Sequence, residues 1–139
     1  QQDIHQWNVD HIFSNSPQYQ SLSRDEAKTT FFGWLYNPDS EVIQSDFYDR
    51  DRLIAENYKE GKIHTIFDRH IPVVERKAFN YLIQSTTSDL VLDRACAIEE
   101  FLKNTGSFVS HVVHDEVVID LKEEDKKLVP QLKNIFAKN

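Results

Sequence analysis

Two groups of residues in this sequence have types and spacing that could do chemistry. His114, Asp115 and Glu116 interrupt an apolar run, with Val109, Val112 and Val113 on one side and Val117, Val118 and Ile119 on the other. β-Branched residues bury readily, whereas an acidic pair set among them must stay hydrated or meet a cation. Carboxylates at a strand end suit a magnesium ion held against a substrate phosphate. A solvated charged turn is the competing reading, and on these three residues alone it is the commoner one. The second group is Arg24, Lys28, Phe32 and Tyr36, which stand four apart and so form one slowly drifting stripe along a helix. Two cations followed by two aromatics match a nucleotide lying along that helix, with phosphates against the guanidinium and ammonium and sugar and base against the rings. The competing reading is an ordinary amphipathic helix, its aromatics in the core and its cations in water.

Other candidates carry less. His5 could donate to a phosphate, but a lone histidine is more often a surface or structural residue. Arg76, Asn80 and Gln84 also stand four apart, and donors of this kind can read base edges in a minor groove, with a solvated stripe as the alternative. His64 and His70 are separated by a predicted strand, and His111 and His114 have strand-end spacing without partners, so the histidines give no zinc set. The sequence contains no glycine-rich phosphate loop, no nucleophile elbow, and no serine or cysteine beside a credible base.

The elements that must hold these residues follow from periodicity. Asp3 can cap a short helix reaching Phe13, and Ser23 can cap a second that runs to Tyr36 before Pro38. Loops are expected over 14–21 and 37–45, and a third helix over 46–59. The run from Lys62 to Ile71 is β-rich and leads to a further extended piece ending near Val74. The longest helix is expected over 75–104, with a bend or contact surface at the Ser85-Thr86-Thr87-Ser88 cluster. A β-hairpin follows over 107–121, its tip at His114-Asp115-Glu116, and then an amphipathic helix over 123–138 that Pro130 must kink or split. The class is α+β, helices flanking a small antiparallel sheet.

Composition bounds the rest. A chain of 139 residues can bury a real core, and 40% hydrophobic with 28% charged residues excludes fibrous or disordered classes. The formal net charge of -7 argues against binding nucleic acid by bulk electrostatics, so phosphate contacts would have to be local. Cys96 is the single cysteine and has no disulfide partner, which fits a reducing cytoplasm, and no apolar run reaches the ~20 residues of a membrane span. The absence of Met leads to the expectation of a fragment or processed product.

Taken in order, these segments resemble the family A (DNA polymerase I-like) DNA polymerases over nearly the whole chain. Arg24-Asp25-Glu26-Ala27-Lys28-Thr29-Thr30-Phe31-Phe32-Gly33-Trp34-Leu35-Tyr36 is similar to the fingers motif of that family, in which Arg, Lys, Phe or Tyr, and Tyr stand four apart. Asp3-Ile4-His5 resembles the segment that follows the first palm motif. The stretch from Glu75 through Arg76 and Asn80 to Gln84 resembles the long palm helix, and His114-Asp115-Glu116 resembles the last catalytic motif. The resemblance implies a fingers-like region at 1–60 and a palm-like region at 61–139. It also implies template-directed DNA synthesis from dNTPs on a primer-template with Mg2+.

By the same resemblance, His5, Arg24 and Lys28 hold the triphosphate, and Lys28 also protonates the leaving pyrophosphate. Phe32 packs on the sugar and Tyr36 lies near the templating base. Arg76, Asn80, Gln84 and His114 touch the primer-template, and Asp115 and Glu116 bind the metal.

The chain departs from the family pattern in several places. Asn37 and Ser85 stand where the family has Gly, and the first palm motif, with the other metal-binding aspartate, is absent. The isolated chain is therefore expected to need an upstream polymerase segment as partner, and its short 37–58 region points to a compact phage-type enzyme. A non-catalytic nucleic-acid-binding or scaffolding module and a plain helical interaction domain are the rival classes.

Overall fold

The structure is a computed structural model and describes residues 3–138. These fall into two compact units, one formed by residues up to 64 together with 69–82, the other by 65–68 and 83 onward. The class is α+β, with helices and two small antiparallel sheets. Among the described residues no helix is long and apolar enough to cross a membrane.

The first unit opens with α1 (Ile4–His11), capped as its sequence suggests by Asp3, whose carboxylate accepts from the backbone of His5 and Gln6. A short 3-10 turn, Phe13–Asn15, follows. Helix α2 (Arg24–Tyr36) begins at a full capping box, Ser23 accepting from Glu26 N–H while the Glu26 carboxylate accepts from Ser23 N–H. Its inner face buries Ala27 and Trp34, and the indole of Trp34 meets Phe31, Tyr48 and Phe79 at centroid separations of 5.8, 6.0 and 5.6 Å. Arg50 closes the other end of the helix. It donates to the carbonyls of Trp34, Asn37 and Ser40 and lies 5.2 Å from the Trp34 ring centroid, so one cation satisfies carbonyls that the helix end leaves open.

Helix α3 (Arg50–Asn57) is shorter than the 46–59 read from periodicity. Asp49 is its N-cap, Ser45 Oγ accepts from Phe47 N–H, and the Tyr48 hydroxyl donates to the buried Asn8 at 2.7 Å. Side-chain bonds of this kind offer the backbone an alternative to helix and delay its start. The β-rich run also differs. Strands β1 (Tyr58–Lys59), β2 (Lys62–His64) and β3 (His70–Pro72) form a three-stranded antiparallel sheet, and β2 is parted from β3 by residues 65–69 with Asp68 at φ 57°. Asp tolerates the left-handed region better than most residues, which suits it to a reversal that alternation alone does not signal. Ile63 pairs with Ile71 and packs with Ala78 and Leu82, backed by Leu53, Ile54, Tyr58 and Val73.

Helix α4 (Glu75–Leu102) supplies its first turns to the first unit and the remainder to the second. It runs without interruption through Ser85–Ser88, where the Thr87 hydroxyl is returned to the Ile83 carbonyl at 2.9 Å. In the second unit β4 (Phe108–Val113) and β5 (Glu116–Asp120) form the expected hairpin, with a register shift between Val109 and His111 that leaves Ser110 as a bulge. The turn is His114-Asp115, with His114 at φ 54°. Ile98, Leu102 and Leu132 form the core beneath it, joined by Val109, Val117, Ile119 and Ile135. The root of the hairpin is tied by Asp125, whose carboxylate accepts from Ser107 Oγ at 2.7 Å and Gly106 N–H at 3.2 Å, while Ser107 Oγ accepts from Lys122 N–H at 2.9 Å. Pro130 splits the terminal helix: a 3-10 segment, Glu123–Leu128, precedes α5 (Val129–Phe136), where proline occupies the first turn and needs no N–H partner.

Candidate functional site

In the first unit the stripe of α2 faces outward. Ala27 and Trp34 take the buried side, while Arg24, Lys28, Phe32 and Tyr36 are all exposed, Phe32 at 36% and Tyr36 at 51%. The amphipathic reading places those aromatics in the core, and they are not there. The Phe32 and Tyr36 rings are stacked, 11° between planes at 6.1 Å, and the His5 ring lies 5.8 Å from Phe32. His5 reaches this position because α1 packs on α2 and its cap residue Asp3 also holds Arg24: Asp3 Oδ1 caps α1, and Oδ2 accepts from Arg24 Nε at 2.9 Å. His5 Nδ1 is buried and has no hydrogen-bond partner among the described residues, a polar atom that a ligand could satisfy.

The two cations of the stripe differ in state. Arg24 is held by Asp25 at 2.8 Å and by Asp3, and these hydrogen bonds raise its pKa while holding the Asp3 carboxyl below its usual value. Lys28 forms no ion pair among the described residues. An incoming polyanion would thus meet an unpaired ammonium and a guanidinium that two carboxylates keep in place and must share.

Of the stripe on α4, Arg76 and Asn80 fall in the first unit. Arg76 makes a bidentate pair with Asp39, 2.8 and 2.5 Å, which lowers the Asp39 carboxyl from its ordinary value. Asn80 Nδ2 donates to the Tyr36 carbonyl at 3.4 Å, and its Oδ1 is buried without a partner. These contacts attach the start of α4 to the C-terminal end of α2, a structural role that spacing alone could not reveal. Gln84 belongs to the second unit and is exposed.

The second unit places His114, Asp115 and Glu116 together at the hairpin tip, all exposed, with Glu116 paired to Val113 as the first residue of β5. An apolar groove of ≈ 720 Å³ begins beside the two carboxylates and continues along Val117, Ile119, Leu132 and Phe136. Among the described residues no group of three or more His, Cys, Asp or Glu side chains could hold a metal ion. Asp115 and Glu116 thus stand at the tip as two exposed carboxylates, short of such a group.

One pair that the sequence reading set aside is brought together. His64 and His70 face each other across β2 and β3, with ring centroids 4.1 Å apart, because the run read as one strand doubles back. Their six-residue separation, bracketing Asp68-Arg69, was the available signal. No protein-family model matches this chain, and no curated protein sequence matches it.

Proposed function

We propose that this chain is the fingers and C-terminal palm portion of a family A-like DNA polymerase, transferring nucleotides from dNTPs to a primer 3′-hydroxyl in concert with an upstream segment that carries the first palm motif. The observation that carries this reading is the outward stripe of α2, cation, cation, aromatic, aromatic, with the His5 ring against Phe32. A helix folded only to pack would turn those rings inward.

In this reading Lys28 and Arg24 bind the triphosphate with His5, and Lys28 delivers a proton to the departing pyrophosphate. Phe32 lies on the sugar and Tyr36 at the templating base. Arg76, Asn80, Gln84 and His114 bear on the primer-template. Asp115 and Glu116 supply carboxylates to magnesium, which when bound lowers the pKa of the primer hydroxyl and neutralises charge on the phosphates. The site sits in a chain of net charge -7, so binding is local and not a product of overall charge.

A second reading, a non-catalytic nucleic-acid-binding or scaffolding module, draws on the ion pairs that engage Arg24 and Arg76 with Asp3, Asp25 and Asp39. Primer extension separates the two. The chain is assayed alone, mixed with an upstream family A palm and thumb segment, and mixed as the Asp115→Ala variant. Extension is expected only in the wild-type mixture, with a loss of at least about 100-fold in the variant. Activity that survives the substitution removes the metal assignment, and a mixture that binds primer-template without extending it favours the scaffold.

A further inference from the structure

We propose that His64 and His70 form a two-imidazole site for a late first-row divalent cation, Cu2+ foremost and Zn2+ or Ni2+ after it. The inference is independent of the nucleotide reading.

Geometry carries it. The two residues are register partners across β2 and β3, so the sheet fixes their backbones before any ion arrives. The pair next to them, Ile63 and Ile71, points into the core with Ala78 and Leu82, and strand alternation turns His64 and His70 to the other face. His64 is half-buried and His70 exposed, which leaves the pair open to a solvated ion. Their centroids are 4.1 Å apart with 41° between ring planes. In a chelate, metal–nitrogen bonds of about 2.0–2.1 Å put each ring centroid about 3.2 Å from the ion, so two imidazoles at 90–110° have centroids about 4.5–5.2 Å apart. The observed separation of 4.1 Å lies just below that range, so the rings must part slightly to admit an ion.

Ligand chemistry selects the ion. Neutral imidazole nitrogen suits copper, zinc and nickel, while magnesium and calcium prefer oxygen, so this pair and the hairpin carboxylates would not compete for one metal. Each ring gives only one nitrogen and keeps the other for contacts within the protein. With no third protein ligand set among the described residues, water completes the coordination.

The test titrates the whole chain with Cu2+ and with Zn2+ by calorimetry in a non-chelating buffer. Electron paramagnetic resonance of the Cu2+ form counts nitrogen ligands, and amide NMR maps paramagnetic broadening. His64→Asn, His70→Asn and, as a control, His111→Asn/His114→Asn are compared, with circular dichroism verifying each fold. One ion per chain, two nitrogen ligands and broadening centred on residues 62–64 and 70–72 are expected. Either single substitution should weaken binding at least about tenfold, and the control should retain it. Broadening centred elsewhere, or affinity lost in the control and kept in both single variants, overturns the proposal. Since the broadening map uses the unaltered protein, it decides the matter even where a substitution disturbs the sheet.

Discussion

Replacing Asp125 with alanine should loosen the hairpin that carries Asp115 and Glu116, and the size of the effect can be worked from its contacts. Asp125 is 8% exposed and its carboxylate accepts from Ser107 Oγ at 2.7 Å and Gly106 N–H at 3.2 Å. Ser107 is itself 5% exposed, so its hydroxyl cannot turn to water once the carboxylate is gone. A hydrogen bond to a charged group contributes about 1.5–3 kcal/mol, and the longer bond to half-buried Gly106 falls at the low end, giving about 3 kcal/mol for the loss of both. For a chain of this size that corresponds to about 10 °C in Tm. Asp125→Asn keeps the shape and one acceptor and should cost about half as much. Urea denaturation measures the difference, with an unchanged slope showing that stability alone has moved, and amide exchange should quicken first at Gly106, whose N–H loses its acceptor, and then at Lys122. A loss below about 1 kcal/mol for the alanine variant would refute the claim that this carboxylate secures the root of the hairpin.

Further expectations concern the stripe and the surface ion pairs. If Phe32 packs on the sugar, its lack of a hydroxyl implies discrimination against dideoxynucleotides, and Phe32→Tyr should relax it in a primer-extension competition; equal incorporation by both forms would remove that role. The carboxyls of Asp3, Glu26 and Asp39 are lowered, chiefly by hydrogen bonds from Arg24, from the Ser23 backbone and from Arg76 respectively. A depressed folded-state value stabilises the fold above the ordinary carboxylate range and loses that contribution as pH drops through the lowered value. Tm should therefore fall as the solution is acidified below about pH 4.5, and more gently in an Asp3→Asn/Glu26→Gln/Asp39→Asn variant. Parallel curves for the two proteins would show that these contacts do not couple to folding.

Local signals made much of this fold legible. Ser23 and Glu26 announce the start of α2, Pro38 its end, and the β-branched runs around His114-Asp115 give the hairpin, although Glu116, read as part of the tip, is the first residue of β5 and shifts the pairing by one. What the sequence hid are contacts between distant segments. The Tyr48 hydroxyl reaches Asn8, 40 positions away, and α3 begins later than its stripe implies. Asp39 engages Arg76 across 37 positions, so a side chain that spacing offers to solvent is paired. The reversal between β2 and β3 needs only Asp68 in the left-handed region, a signal too small to outweigh an alternating pattern, and with it went the meeting of His64 and His70.

The backbone at His114 has φ 54°, a conformation that glycine or asparagine adopts with less penalty than an imidazole-bearing residue, for which it costs on the order of 1 kcal/mol. A sequence shaped only by the demands of closure would put one of those two there. The ring therefore persists there against a standing conformational disadvantage. Introducing glycine at this vertex would yield a sturdier reversal and remove the imidazole that precedes Asp115 in the turn.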